Sequence, residues 1–204
     1  MLTNFIFMLN EFNQIYFKEI SNRIEKQQIQ FDLARIHSHR HISRCLVYSE
    51  WILKCLKHEL DYENNLDLLF AISFHDIGRI QEGIDNTNYQ SSLIAQEEMT
   101  KMNVDTRIIE STKKLIQEKD NSDNYDIKRM ILHDVDCFDI MRPSTGRGGI
   151  IGFNKDFLCL FKSNQNNYQN ELISKCFNLI NITENESFEN VDCLKNILKS
   201  KLNE

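Results

Sequence analysis

Proline and glycine are scarce in this chain. Its 204 residues include one proline and six glycines, and strongly β-branched alternating runs are missing. Because both residues interrupt regular structure, their scarcity favours long helices joined by short polar turns. The sequence therefore predicts an all-α fold, with helices at about residues 4–27, 31–58, 66–78, 89–103, 105–118, 125–141, 154–163, 167–181 and 187–202.

Long apolar runs and an excess of basic residues are also missing. No stretch approaches the roughly 18 apolar residues of a membrane span, and the apolar start, residues 1–9, lacks the basic flank and cleavage site of a signal peptide. A formal charge of −6 argues against binding to duplex nucleic acid or to an anionic membrane. The six cysteines include no CxxC pair, which is typical of buried thiols in a reducing compartment. These features predict a soluble, cytoplasmic protein with one hydrophobic core.

One stretch is apolar on nearly every face. Leu66–Phe74 therefore predicts a helix that is buried on all sides, and Gly78 soon afterwards permits the chain to turn away. His75 and Asp76 stand directly at the end of this helix. A charged aspartate is costly there unless it is paired, hydrogen-bonded or bound to a cation. The pair is thus a candidate to bind a divalent cation or to orient a water, and structural capping is the plainer alternative.

Two further segments place polar groups at helical spacing. His37 and His41 are four residues apart, and Arg44 follows nearly one turn later along the same face. Asp136 follows His133 by three residues. A histidine beside carboxylates is a candidate general acid, because the carboxylates favour the imidazolium. The alternatives are a solvated basic face for the first segment and a surface salt-bridge network for the second.

The three segments together resemble the HD superfamily of phosphohydrolases. The shared features are the order HxxxHxxR, then His-Asp, then an aspartate after a helical spacer. This resemblance implies a single helical bundle of the HD type. It also implies that a divalent metal ion, such as Mn, Mg, Fe, Ni or Zn, would be held by four residues, which are His41, His75, Asp76 and Asp136.

A closer likeness includes the residues that link these motifs. FHDIGR followed by Glu82-Gly83, and HDVDCFDIMR followed by Gly152-Phe153-Asn154, are similar to the phosphodiesterase (PDE) domain of the SidE-type effectors of Legionella and related phosphoribosyl-ubiquitin deconjugating enzymes. The likeness covers about residues 31–165, the expected catalytic core. Residues 1–30 would then form an N-terminal helical extension, and residues 166–204 would form helices that pack on the core.

The SidE likeness implies a histidine-based mechanism that requires no cofactor. The bond cleaved would be a phosphodiester or pyrophosphate in an ADP-ribosyl or phosphoribosyl adduct, with ubiquitin as the protein that carries it. Either His37 or His41 would attack phosphorus, and Glu82 would orient the attacking imidazole. His133 would protonate the leaving oxygen and later activate water. The phosphate oxygens would be held by arginines, for which the candidates are Arg44, Arg79 and Arg142.

Two alternative functions remain open, and so does the role of one loop. The first alternative is a metal-dependent HD phosphohydrolase that acts on a small nucleotide or cyclic nucleotide, with metal-bound hydroxide as the nucleophile. The second is a binding module without turnover. The glycine-rich loop at residues 144–149 offers backbone N–H groups to a phosphate, or serves as a mobile connector. As a member of an effector class, the chain would be secreted into the cytosol of a host cell.

Overall fold

The computed structural model describes most of the chain and leaves several connecting segments out. The described residues are 11–31, 37–56, 65–79, 87–121, 123, 125–141, 158–160, 167–184, 194 and 196. These residues are largely helical and include no strand, which confirms the all-α fold class for this part of the chain. Among them, none of the helices is both long enough and apolar enough to span a bilayer.

The helices form a single bundle, and each is named here by its order along the chain. A π-helical turn, Asn13–Phe17, leads directly into the first α-helix. The α-helices are α1 (Lys18–Phe31), α2 (His39–Cys55), α3 (Leu66–Phe74), α4 (Thr87–Lys101), α5 (Thr106–Gln117), α6 (Ile127–Asp139) and α7 (Asn167–Glu184).

The short helix α3 lies at the centre of the bundle. It packs against α2, α4, α5 and α6, and every residue from Asp67 to Phe74 is buried. The prediction of a helix buried on all sides is therefore confirmed. Helices α2, α6 and α7 also contact one another. The end of α3, where His75 and Asp76 stand, is thus enclosed by other helices.

The N-terminal segment shares this core. The ring of Phe12 packs edge-on against Phe70 of α3 at a centroid distance of 5.0 Å, and the ring of Tyr16 lies 5.0 Å from the same side chain. Phe12 and Phe17 are both buried. Burial of large aromatic rings is a major stabilising contribution, so this segment is held against the central helix.

The predicted helix at 31–58 is not continuous. Ser38 has an extended backbone, with φ −74° and ψ 172°, and α2 begins only at His39. His37 therefore precedes the helix and does not share a helical face with His41 and Arg44. Serine is common at the N-cap of a helix, because its side-chain oxygen can accept a backbone N–H of the first turn. Ser38 occupies the N-cap position here without making that hydrogen bond. The apolar periodicity of the segment carried no sign of this interruption.

The predicted helix at 154–163 is wrong where the structure describes it. Leu158, Cys159 and Leu160 form a bend and a turn. The backbone N–H groups of Cys159 and Leu160 donate to the two carboxylate oxygens of Asp134, at 2.7 and 3.0 Å. These long-range hydrogen bonds replace the bonds that a helix would make. The predicted helix at 187–202 lies outside the described residues, apart from residues 194 and 196.

Gly78 is needed for close packing and not for a left-handed turn. A Cβ atom built on it would lie 2.3 Å from the backbone nitrogen of Ser91 in α4. The N–H of Gly78 donates to the hydroxyl oxygen of Ser91 at 2.9 Å. The missing side chain thus lets α4 approach the turn that carries His75 and Asp76.

Candidate active site

Four side chains from α2, α6 and the end of α3 converge in the middle of the bundle. The Nε2 atoms of His41 and His75 lie 3.2 Å apart. The Oδ1 atom of Asp136 lies 3.7 Å from the first of these atoms and 3.6 Å from the second, and Asp76 completes a set whose ligand atoms all lie within 4.8 Å of one another. The structure therefore brings together the four residues that the HD pattern selects. We refer to them as the quartet.

The Nδ1 atom of each quartet histidine has a defined hydrogen-bond partner. Nδ1 of His41 lies 2.7 Å from Oδ2 of Asp139, and Nδ1 of His75 lies 2.8 Å from the carbonyl oxygen of Ile72. Both partners only accept hydrogen bonds, which assigns a proton to each Nδ1. If both rings were neutral, two Nε2 lone pairs would face each other. A shared proton or a metal ion relieves that repulsion, so the mixed nitrogen and oxygen donor set fits a divalent cation.

Two cationic side chains accompany the quartet carboxylates. Nζ of Lys119 lies 2.5 Å from Oδ2 of Asp136, and Nε of Arg79 donates to Oδ1 of Asp76 at 2.9 Å. Burial alone would lower the pKa of Lys119, but the charges of Asp136, Asp76 and Asp120 outweigh this effect and raise it. Lys119 therefore stays charged although only 5 % of its surface is exposed. No sequence signal predicted this role for Lys119, because the residue lies in a polar run between helices with no motif around it.

The quartet carboxylates are ionised. Burial raises the pKa of Asp76, but the charge of His75 and hydrogen bonds from three histidines outweigh it and hold the pKa well below its usual value. Lys119 and His75 have the same effect on the pKa of Asp136. For His75 itself, burial lowers the pKa, while the two aspartates raise it to about 10. The site is thus a compact network of compensating charges.

His37 adjoins the quartet although it lies outside the helix. Its Nδ1 is 2.6 Å from Oδ2 of Asp76, and its ring stands perpendicular to that of His41 at a centroid distance of 5.9 Å. A carboxylate accepts the Nδ1 proton, so the lone pair resides on Nε2. The side chain of His37 is 19 % exposed, whereas that of His41 is 1 % exposed. His37 is therefore the more accessible of the two candidate nucleophiles.

His133 lies one helical turn before Asp136 on α6, in a second cluster of polar atoms. Its Nδ1 is 3.0 Å from Oδ1 of Asp134 and 3.4 Å from Sγ of Cys159. The side chain is partly exposed, as a group that exchanges protons with a substrate needs to be. His133 is not among the four residues whose ligand atoms meet in the quartet.

Arg44 points into the protein. Its Nε and Nη2 atoms donate to the two oxygens of Asp139 at 2.7 and 3.1 Å, and Nη1 donates to the Thr183 hydroxyl at 3.4 Å. Tyr48 donates to the same carboxylate at 3.1 Å. The guanidinium thus holds the carboxylate that orients His41. Glu82 and Arg142, which the SidE likeness implies, lie outside the described residues, as does the glycine-rich loop at 144–149.

We expect Arg44→Ala to destabilise the fold strongly. The substitution leaves the carboxylate of Asp139 buried without its main countercharge, and loss of one partner from a buried ion pair costs about 3–5 kcal/mol. Chemical denaturation followed by circular dichroism measures the change. Arg107→Ala is the matched control, because the Arg107 side chain is 92 % exposed in its pairing with Asp105 and should contribute little. Equal midpoints for the two variants would contradict the importance of the buried pair.

A family comparison matches this chain. The sequence profile of the SidE phosphodiesterase (PDE) domain matches residues 13–191, which include all the site residues described above. Comparison with curated proteins and with solved structures gives no significant match. The match does not test membership of the wider HD superfamily, which stays a prediction. Because the matched residues make up most of the chain, the chain belongs to the SidE phosphodiesterase (PDE) domain family.

Proposed function

We propose that this chain hydrolyses a phosphodiester or pyrophosphate bond in an ADP-ribosyl or phosphoribosyl adduct by histidine-based catalysis. Membership of the family implies phosphodiesterase activity. The observation that carries the mechanism is the hydrogen bond of 2.6 Å between His37 and Asp76. It joins an accessible imidazole to a buried, ionised carboxylate, as in other sites where a third group orients and activates the reacting histidine.

His37 is the nucleophile in this proposal, and His41 is a positioning residue. The proton on Nδ1 of His37 leaves Nε2 to attack phosphorus, so that a P–N bond forms as the P–O bond to the leaving group breaks. Asp76 then stabilises the positive charge on the ring. His41 is less suited to this step, because its Nε2 faces His75 and its side chain is buried. Asp76 thus takes the orienting role that the family resemblance assigns to Glu82.

Lys119 and Arg79 supply positive charge for the phosphate. Each contacts a quartet carboxylate, so both lie at the site where negative charge develops during attack on phosphorus. Preorganised cations stabilise such charge more than water does. We assign phosphate binding to these two residues. Arg44, which the sequence offered for this role, instead positions His41 through Asp139.

His133 completes the cycle as acid and then as base. Its Nδ1 donates to Asp134, which leaves Nε2 as the nitrogen that exchanges protons. In the imidazolium form the ring protonates the leaving oxygen. The neutral ring then takes a proton from water as the water attacks phosphorus, and the P–N bond breaks to release His37. The partial exposure of His133 and its pairing with a buried carboxylate support this assignment.

A second candidate function is favoured by the convergence of the quartet. The four donors fit a divalent cation, and His41, His75, Asp76 and Asp136 would hold it. When bound, such an ion would supply a Lewis acid for a small nucleotide or cyclic nucleotide substrate. Lys119 and Arg79 already balance the charges of Asp136 and Asp76. This balance favours the histidine mechanism over the metal-dependent one.

Ubiquitin is the protein that we propose carries the adduct, and the cytosol of a host cell is the proposed site of action. Both proposals rest on the likeness of FHDIGR with Glu82-Gly83, and of HDVDCFDIMR, to SidE-type effectors. The substrate class and the carrier are separate questions. Free ADP-ribose and ADP-ribosylated ubiquitin therefore belong in the same assay.

Chelation distinguishes the two candidate functions. We expect AMP release from ADP-ribosylated ubiquitin to continue unchanged in EDTA, because histidines supply both the nucleophile and the acid. The panel includes free ADP-ribose and a cyclic nucleotide, each with and without chelator, and AMP is measured by chromatography. Activity that disappears in EDTA and returns with Mn²⁺ or Mg²⁺ would overturn the histidine mechanism and favour the metal-dependent alternative.

A further inference from the structure

The cluster around His133 contains a set of donors different from the quartet. Besides nitrogen and oxygen, it offers sulfur, from Cys159 on the segment that follows α6 in the chain. We propose that His133, Asp134 and Cys159 form a binding site for one soft divalent cation of the Zn²⁺ type. The proposal concerns binding and does not depend on the catalytic role assigned to His133.

The distances suit a tetrahedral ion. Nδ1 of His133 lies 3.4 Å from Sγ of Cys159 and 3.0 Å from Oδ1 of Asp134, and the three ligand atoms all lie within 4.8 Å of one another. A tetrahedral Zn²⁺ with bonds of about 2.0–2.3 Å holds neighbouring ligand atoms roughly 3.3–3.8 Å apart. Small shifts would therefore admit the ion.

Asp134 prepares the site by fixing both of its neighbours. The carboxylate is fully buried and accepts the backbone N–H groups of Cys159 and Leu160. The same carboxylate accepts the Nδ1 proton of His133. It thereby holds the thiol against the imidazole, while His133 and Cys159 remain partly exposed to solvent. A carboxylate held by other hydrogen bonds, next to a histidine and a thiol, is typical of sites that bind zinc.

Binding of the ion requires a simple exchange of protons. The thiol of Cys159 loses its proton to solvent, and the resulting thiolate binds the cation. The proton on Nδ1 of His133 is replaced by the ion, and the neutral ring carries its proton on Nε2 after exchange with water. One proton is thus released for each ion that binds. No oxidant or reductant takes part.

Cadmium titration of the full chain tests the site. Thiolate binding to Cd²⁺ produces a charge-transfer band in the ultraviolet, whereas the four donors of the quartet contain no sulfur. We expect a band that saturates at one ion per chain, is lost in Cys159→Ser, and is kept in Cys55→Ser, which removes an exposed thiol elsewhere. Circular dichroism confirms that both variants fold. A band that persists in Cys159→Ser, or no band in the unchanged chain, would overturn the proposal.

Inhibition of hydrolysis by Zn²⁺ is a separate consequence of this cation site, and it rests on the proposed function. An ion on Nδ1 prevents the ring from accepting a second proton, so Zn²⁺ should slow phosphodiester hydrolysis in the unchanged chain and much less in Cys159→Ser. Loss of the cadmium band in Cys159→Ser without any zinc inhibition in the unchanged chain would support the site and contradict the acid and base role of His133. The cation site and the catalytic role of His133 can therefore be refuted independently.

Discussion

Replacing His37 by alanine lowers turnover by about 10³-fold or more, because it removes the nucleophile and leaves only positioning and charge stabilisation. The same substitution abolishes the phosphohistidine that forms during a single turnover with a phosphorus-labelled substrate. An alkaline quench preserves this acid-labile adduct, and peptide mapping locates it. The geometry behind this expectation is the pairing of Nδ1 with Asp76, which directs the opposite nitrogen to phosphorus.

His39→Ala is the matched control for His37→Ala. His39 stands two residues away at the start of α2 and pairs with Glu25 at 3.0 Å, away from the quartet residues named above. Its loss should leave turnover unchanged. If His37→Ala retains the labelled adduct and His41→Ala abolishes it, the nucleophile is His41 and the assignment made here is wrong.

His133→Ala should lower turnover of an ADP-ribosyl substrate by about 10²–10⁴-fold, the usual contribution of a general acid or base. The effect on the two chemical steps differs. A p-nitrophenyl phosphodiester has a leaving group that needs no proton, so this variant should release close to one nitrophenolate per chain quickly. It should then turn over slowly, because the second step still needs a base. Stopped-flow absorbance measures this burst.

Cys159→Ser provides the control for His133→Ala. It alters the same cluster beside His133 and leaves the imidazole in place, so turnover in metal-free buffer should match that of the unchanged chain. Should His133→Ala slow both substrates equally and show no burst, the residue supports the structure and does not transfer protons.

Much of the fold could be predicted because its signals are local. Leu66–Phe74 is apolar on nearly every face, which predicted a buried helix, and the structure confirms it. The scarcity of proline and glycine predicted the all-α class. Segments such as residues 105–118 and 125–141 differ from the observed helices by only a few residues at each end. In all these cases neighbouring residues determine the structure.

Two of the errors in prediction share one physical cause. The segment at 158–160 has a helical pattern, yet its N–H groups bind a carboxylate 25 and 26 positions earlier. Arg44 appeared suited to phosphate by its place after two histidines, yet its partner Asp139 lies 95 positions away. Helical spacing reports only neighbours within about one turn. Contacts between distant segments leave no such trace in a single sequence.

The sequence by itself determined which residue types were present for catalysis and on which helices most of them lie. His41, His75, Asp76 and Asp136 were selected in this way, because motif order and helical period are properties of the chain. Only the tertiary structure decided that His37 leaves the helix and meets Asp76, and that Lys119 pairs with Asp136. The physical reason is that these pairs form when α2, α3, α5 and α6 pack together, and packing is set by the whole core.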